Sequence, residues 1–270
     1  MDLTMDAALL LLADARLPAG GHAHSGGLEA AAATGVVHDV ATLAAFLRGR
    51  LATTGLVSAG LAAAACAYAY EPAACTDAYG PAADARTPTS TPTGDPTAPV
   101  RPDAEAGRPY GAAVPGDPAG WVRLDAEADA RTPSPAQRRA SRAQGRALLR
   151  VARAAWPGPH LDALAVVVGG PHHPLVLGAA VAAVGGAPTR AAQVAAYGAV
   201  TGPASAAVRL LGLDPLGVHR VLADLAGRID AVAAEAAVTA RLGDLPAASA
   251  PALDVFAELH QQAELRLFES

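Results

Sequence analysis

The residues best suited to chemistry gather near the N-terminus, in the stretch LPAGGHAHSGGLE from Leu17 to Glu29. Gly21, four intervening residues and Gly26 reproduce the outer spacing of a phosphate-binding loop, in which backbone amides cradle phosphates and a following Lys reaches the terminal ones. Gly27 and Leu28 stand where Lys and Ser/Thr are required, and the chain contains no lysine at all. This disfavours nucleotide hydrolysis. Ser25 offers a hydroxyl, but the Gly-x-Ser-x-Gly elbow needs a glycine where Ala23 stands, and no strand precedes it. The same serine suits a helix N-cap, and Glu29 then falls in a first turn, where the macrodipole favours a carboxylate.

Histidines are the sharper chemical candidates. His22 and His24 share this turn and His172 and His173 another, and imidazole suits nickel and zinc. Two alternating histidines supply at most two ligands, so a metal site at His22 and His24 needs dimerisation to complete its coordination sphere. Paired carboxylates, cysteine clusters and dinucleotide fingerprints are absent. No catalytic residue and no cofactor is assigned, and the expectation is a binding protein that is not an enzyme. The rival reading is a His-dependent nickel-binding or storage protein.

The elements that position these residues are expected to be helices. A chain of 270 residues can bury a substantial core, and with alanine its commonest residue and aromatics only 4%, it suits close-packed helices better than a β-sandwich. A net charge of −5 argues against nucleic acid. Cys66 and Cys75 form no CxxC pair, and no positively charged leader precedes Leu9–Leu12, so a cytoplasmic location is expected. Leu51–Tyr70 is too weakly apolar for a membrane span, and Ala163–Thr189 is interrupted by Pro171, His172, His173 and Pro174; both read as core helices.

Leu3–Ala15 reads as a first helix with Leu9, Leu10 and Leu12 inward, broken by Pro18, Gly20 and Gly21. A second follows Ser25 and ends at Gly35. Asp39 or Thr42 starts a third, with Leu43, Phe46, Leu47 and Leu51 at helical spacing, running to about Tyr70. From Glu71 to Gly120 come ten of the 22 prolines and little that is large and apolar. That composition predicts a flexible, disordered insertion. Helix resumes over Arg138–Trp156, where Arg138, Arg142, Arg146 and Arg150 form one stripe, read as a solvated face. Further helices are expected over Leu161–Val168, Pro174–Val184 and Thr189–Leu211, the last with Val194, Tyr197, Ala204, Val208 and Leu211 on its apolar face. Between Ala252 and Phe268, an amphipathic helix presents Leu253, Phe256, Leu259, Ala263 and Leu267, with Glu258, Gln262 and Arg266 opposite. The sum is an all-α single domain over residues 1–270, of about eight to ten packed helices, interrupted at 71–120.

Four segments resemble the urease accessory protein UreF family. Leu17, Pro18, Gly20, Gly21, Ser25, Gly27, Leu28 and Glu29 match its Leu-Pro-x-Gly-Gly and Ser-x-Gly-Leu-Glu signature. Ser141 to Leu149 is similar to its Ser-x-x-Gln-Gly-x-x-Leu-Leu helix, and Val208 to Gly217 to its Arg-Leu-x-Pro-Leu-Gly turn. The ending HQQAELRLFES resembles its His-Glu…Arg-Leu-Phe-x-Ser. Departures are Val218 and Leu222, where glutamines are common, and Gln261 in place of Glu. The resemblance implies a homodimeric, non-catalytic chaperone that binds a UreD/UreH-like protein and recruits a UreG-like GTPase to apo-urease for nickel insertion. It implies that the eight N-terminal residues form a shaped surface. Arg266, Leu267 and Phe268 would then form a tail that docks on the UreD-like partner.

Overall fold

A computed structural model describes residues 3–14, 17–19, 21–69, 118–241 and 244–269, with the side chains of 3–6, 22 and 241 left aside. Residues 71–117 of the expected insertion, with Cys75, lie outside the described residues. Pro118 to Gly120 open a helix, so the insertion ends earlier than Gly120. The helices are α1 (Leu3–Ala13), α2 (Leu28–Ala33), α3 (Val40–Ala69), α4 (Pro118–Ala130), α5 (Pro135–Ala155), α6 (Pro159–Leu164), α7 (His173–Ala183), α8 (Pro188–Leu211), α9 (Pro215–Arg241) and α10 (Pro251–Gln262). No strand occurs among the described residues, and the all-α expectation is met.

Both proposed starts of α3 contribute to it. Asp39 accepts the Thr42 N–H at 2.8 Å while the Asp39 N–H donates to Thr42 Oγ1 at 3.0 Å, a reciprocal capping box. Leu43, Leu47 and Leu51 are then fully buried, each contributing about 1.5–3 kcal/mol. Helix α3 is long and apolar enough to cross a membrane by length and composition, yet 61% of its most apolar window is buried within the protein. It packs against α7, α8 and α9.

Small residues permit this packing. A Cβ on Gly178 of α7 would strike the Ala62 carbonyl and the Ala65 side chain of α3, so the helices meet where neither carries bulk. Beside that contact, Cys66 Sγ donates to Gly186 O at 3.2 Å, and burial pushes the thiol up to about 12. Such a cysteine is an inert core group.

Several faces differ from the periodicity. Leu10 is 73% exposed, so only Leu9 and Leu12 of that trio turn inward. Tyr197 points outward, because the inner face of α8 is set by Ala192, Ala196, Val200 and Ala204. The arginine stripe of α5 is solvated at Arg150 and Arg146, as expected, but Arg138, Arg142 and Arg146 also tie neighbouring turns. Arg142 binds Asp125, Asp129 and the Gly170 carbonyl, Arg146 the Gly169 carbonyl, and Arg138 the Thr132 and Pro133 carbonyls. Helix α10 stops at Gln262, with Ala263 extended, so Ala263, Arg266 and Leu267 are not helical and Leu259 lies half out. Its Glu258 faces inward, accepting from Ser134 Oγ at 2.5 Å and Ala136 N at 2.9 Å at the start of α5. Val218 is 4% exposed and Leu222 packs on the core, so the apolar residues at these departures from the family pattern serve packing.

Candidate functional site

The N-terminal glycine turn is built from two successive left-handed glycines, Gly26 at φ 63° and Gly27 at φ 88°, which few other residues would tolerate. Gly27 occupies the N-cap position of α2, and fully buried Ser25 reaches past it, its Oγ accepting the Glu29 N–H at 3.2 Å. The serine therefore caps the helix as its type suggested, from two residues further back. Gly21 has neither positive φ nor a close neighbour, so the phosphate-loop spacing is a coincidence of sequence. Leu28 is buried at 0%, and Leu17 packs on the core. Pro18 lies in the bend before the turn, and Gly20 is outside the described residues.

What fixes this turn is Arg50. Its Nη1 donates to Gly26 O at 2.7 Å and its Nε to Ala199 O at 2.9 Å. The Ala199 carbonyl is available because residue 203, four positions on, is a proline without an N–H to donate. A Cβ on Gly26 would lie 2.8 Å from Arg50 Nη2, so the glycine is required by the arginine as well as by its dihedral.

The C-terminal tail completes the surface. Glu29 accepts the backbone N–H of Leu267 at 2.7 Å and of Phe268 at 3.0 Å, using one carboxylate oxygen for each. The Glu269 N–H donates to Ala23 O at 2.7 Å, and His260 Nε2 lies 3.1 Å from Phe268 O. Phe268 is 5% exposed beneath the Arg209 guanidinium, 4.6 Å from its ring centroid. Leu265 and Leu267 instead stand out, at 93% and 79% exposure, and Arg266 is exposed. The glycine turn and the tail thus form one patch, with Phe268 turned into the core and Leu265, Arg266 and Leu267 turned outward.

A third turn, residues 171–173, joins from below. Ser141 Oγ accepts the His173 N–H at 3.2 Å and lies 3.0 Å from His172 Nδ1, and a Cβ on Gly145 would strike the Pro171 carbonyl. The serine and glycine of the α5 motif are therefore a seat for this turn. His172 Nε2 meets Asp129 Oδ1 at 2.9 Å. The chain Ser141, His172, Asp129 has the connectivity of a nucleophile relay. Here it acts as a brace, since Arg142 already binds Asp129 at 2.7 Å and Asp125 at 2.8 Å. Burial works to raise the Asp129 carboxyl, but the His172 hydrogen bond and the Arg142 charge outweigh it and hold it low. Burial also holds His172 below its usual range, against the pull of Asp129. Asp125, Asp129 and His172 have the spacing to hold a metal ion, yet Arg142 supplies that positive charge.

Between these turns lies a cavity of about 420 Å³, lined by His24, Arg50, Ser141, Gln144, His173 and Gly202 among others. Both histidine turns reach it, as sequence alone could not tell. Burial, assisted by the neighbouring His24, pushes His173 down to about 4. His24 Nε2 lies 3.6 Å from the Glu269 carboxylate, and the His22 side chain is outside the described residues. Arg50, His260 and Arg209 carried no local signal, because their partners are distant in sequence.

Comparison with known proteins agrees with this arrangement of motifs. A family model described as UreF matches residues 104–226. The chain is 42% identical over 264 residues to the urease accessory protein UreF of Mycolicibacterium vanbaalenii, covering 98% of each. It is 39% identical over 268 residues to that of Mycobacterium marinum and 38% to that of Mycobacterium tuberculosis, in each case over 99% of this chain and 100% of the relative.

Proposed function

The chain belongs to the UreF family of urease accessory proteins, and from that premise we propose that it is a non-catalytic, homodimeric, cytoplasmic scaffold of urease maturation. It binds a UreD/UreH-like protein and brings a UreG-like GTPase to apo-urease for GTP-dependent nickel insertion. The observation that carries this reading is the joined patch: Glu29 pins the tail at Leu267 and Phe268, and Leu267, with Leu265 beside it, projects an exposed apolar side chain. An exposed leucine fixed in this way loses little further entropy on docking. The shaped surface spans the turn at Leu17, Pro18, Gly20, Gly21, Ser25, Gly27, Leu28 and Glu29 and the tail at Arg266, Leu267 and Phe268.

Within that surface the roles divide by exposure. Phe268, Leu28 and Ser25 hold the patch together from inside, while Leu265, Arg266 and Leu267 are free to meet a partner. A scaffold of this kind biases the GTPase only by contacting one nucleotide state more tightly than the other.

The test is co-purification of the tagged chain with its cognate UreD/UreH-like, UreG-like and apo-urease proteins. Leu265→Asp with Leu267→Asp alters exposed side chains only, whereas truncation after Leu265 also strips Phe268 from the core. Retention of the complex by the wild type and its loss in the double variant, with Tm unchanged, is the expected result. An unaffected complex would remove the tail from the interface, and no complex with any partner would overturn the scaffold reading.

A further inference from the structure

Arg50 is the unusual charge of this molecule. It sits where α3 widens into a π-helical turn over Leu51–Gly55, a distortion that often accompanies functional sites. Its two hydrogen bonds go to backbone carbonyls, one freed by Pro203 and one offered by the left-handed turn at Gly26. It forms no ion pair, and Nη2 makes no hydrogen bond among the described residues. Burial alone lowers it to about 10, with no carboxylate to restore it. The residue is half-buried, and its guanidinium has no counter-charge among the described residues. Asp14 and Asp254 also line the cavity, but neither pairs with it.

We propose that the cavity beside the glycine turn is a binding site for a carboxylate, received by the free Nη edge of Arg50. With Nε and one Nη1 hydrogen committed, Nη2 keeps both of its hydrogens and Nη1 one, donors that suit the oxygens of a carboxylate. The chemistry favours a planar monoanion over phosphate. The chain has no lysine, His173 is neutral at pH 7, and the other described arginines at the cavity are engaged, Arg131 with Glu127 and Arg209 over the Phe268 ring. The volume of about 420 Å³ admits either a small free carboxylic acid or an aspartate or glutamate side chain inserted by a partner.

The site can be tested on the isolated chain by following arginine side-chain Nε–H resonances while chloride is exchanged for acetate or succinate at constant ionic strength. The expected result is a saturable shift of one resonance, with Kd on the order of millimolar. Arg50→Gln should abolish it. Because that variant also releases the glycine turn, Gly202→Leu provides a second probe. Beyond its chain neighbours a Cβ on Gly202 meets nothing within 4 Å, so the leucine enters the cavity, and an unchanged Tm and Arg50 Nε–H resonance in the ligand-free variant check that the turn at the following Pro203 is undisturbed. Binding should weaken by about tenfold or more. If acetate binds as well as succinate, a lone carboxylate is recognised, as a partner's side chain would supply. If succinate binds about tenfold tighter, the cavity takes a free small acid. No saturable shift beyond that of chloride, or unchanged binding in Gly202→Leu, would overturn the proposal.

Discussion

The Glu29 carboxylate accepts the Phe268 backbone N–H at 3.0 Å across 239 positions of sequence, closing the last residues of the chain onto its N-terminal motif. The contact explains why a glutamate follows the glycine turn. Leu267 and Phe268 lie in a bend whose successive N–H groups converge on the Glu29 carboxylate, and their side chains part there, Phe268 into the core and Leu267 outward.

Glu29→Ala removes both acceptors while leaving the Ser25 cap intact. The Leu267 N–H is exposed and can turn to water, while the part-buried Phe268 N–H left without a partner costs about 1 kcal/mol, the low end of the range for a buried donor. The expected outcome is a lower urea midpoint together with fast amide exchange over residues 266–269 by hydrogen–deuterium exchange. Unchanged protection there would show that Phe268 burial alone holds the tail.

Gly145→Ala tests the seat beneath the 171–173 turn by opposing two effects of known sign. Helix propensity alone would stabilise the protein by about 1 kcal/mol. The collision with the Pro171 carbonyl should instead destabilise it by about 2 kcal/mol or more. Gly227→Ala in α9, where a Cβ meets nothing within 4 Å, is the control and should raise Tm. Chemical denaturation of both variants decides the point, and stabilisation by Gly145→Ala would contradict the packing described.

His173 makes stability depend on pH with a definite sign. In the unfolded chain it takes up a proton near pH 6.5, but in the folded protein only at about 4. Between these values the unfolded state binds more protons, so stability falls as the pH drops through the window. The slope is at most about 1.4 kcal/mol per pH unit for each such histidine. His172, also held low, acts in the same direction. Asp129, whose folded carboxyl is lowered, loses its stabilising contribution only at more acid pH. Urea midpoints at pH 7 and pH 5 should differ in the wild type and differ less in His173→Gln, the remainder being that of His172. Identical pH slopes in the two proteins would assign the effect elsewhere.

Cys66 should resist alkylation in the folded protein, because burial pushes its thiol up to about 12 and its Sγ donates to Gly186 O. Mass spectrometry of iodoacetamide-treated protein should find the Cys66 peptide unmodified without denaturant and modified with it. Ready modification of native protein would mean that α3 and α7 open locally.

By itself the sequence determined the fold class and the helical segments. Alanine content, proline and glycine breaks and the Asp39–Thr42 cap act within one or two turns, and local rules read them. The α5 and glycine-turn motifs were visible as patterns, and the identity of Ser25 as a cap followed from its type. The tertiary structure decided what those patterns are for. Gly26 is glycine because of Arg50, Arg50 is held because Pro203 frees Ala199, and Gly145 is glycine because of Pro171. Three arginines of the stripe became ties, and Phe268 turned inward while Leu267 stayed out, for the same reason. Each outcome depends on a partner many residues away, whose position is fixed only when the helices pack and desolvate the groups between them.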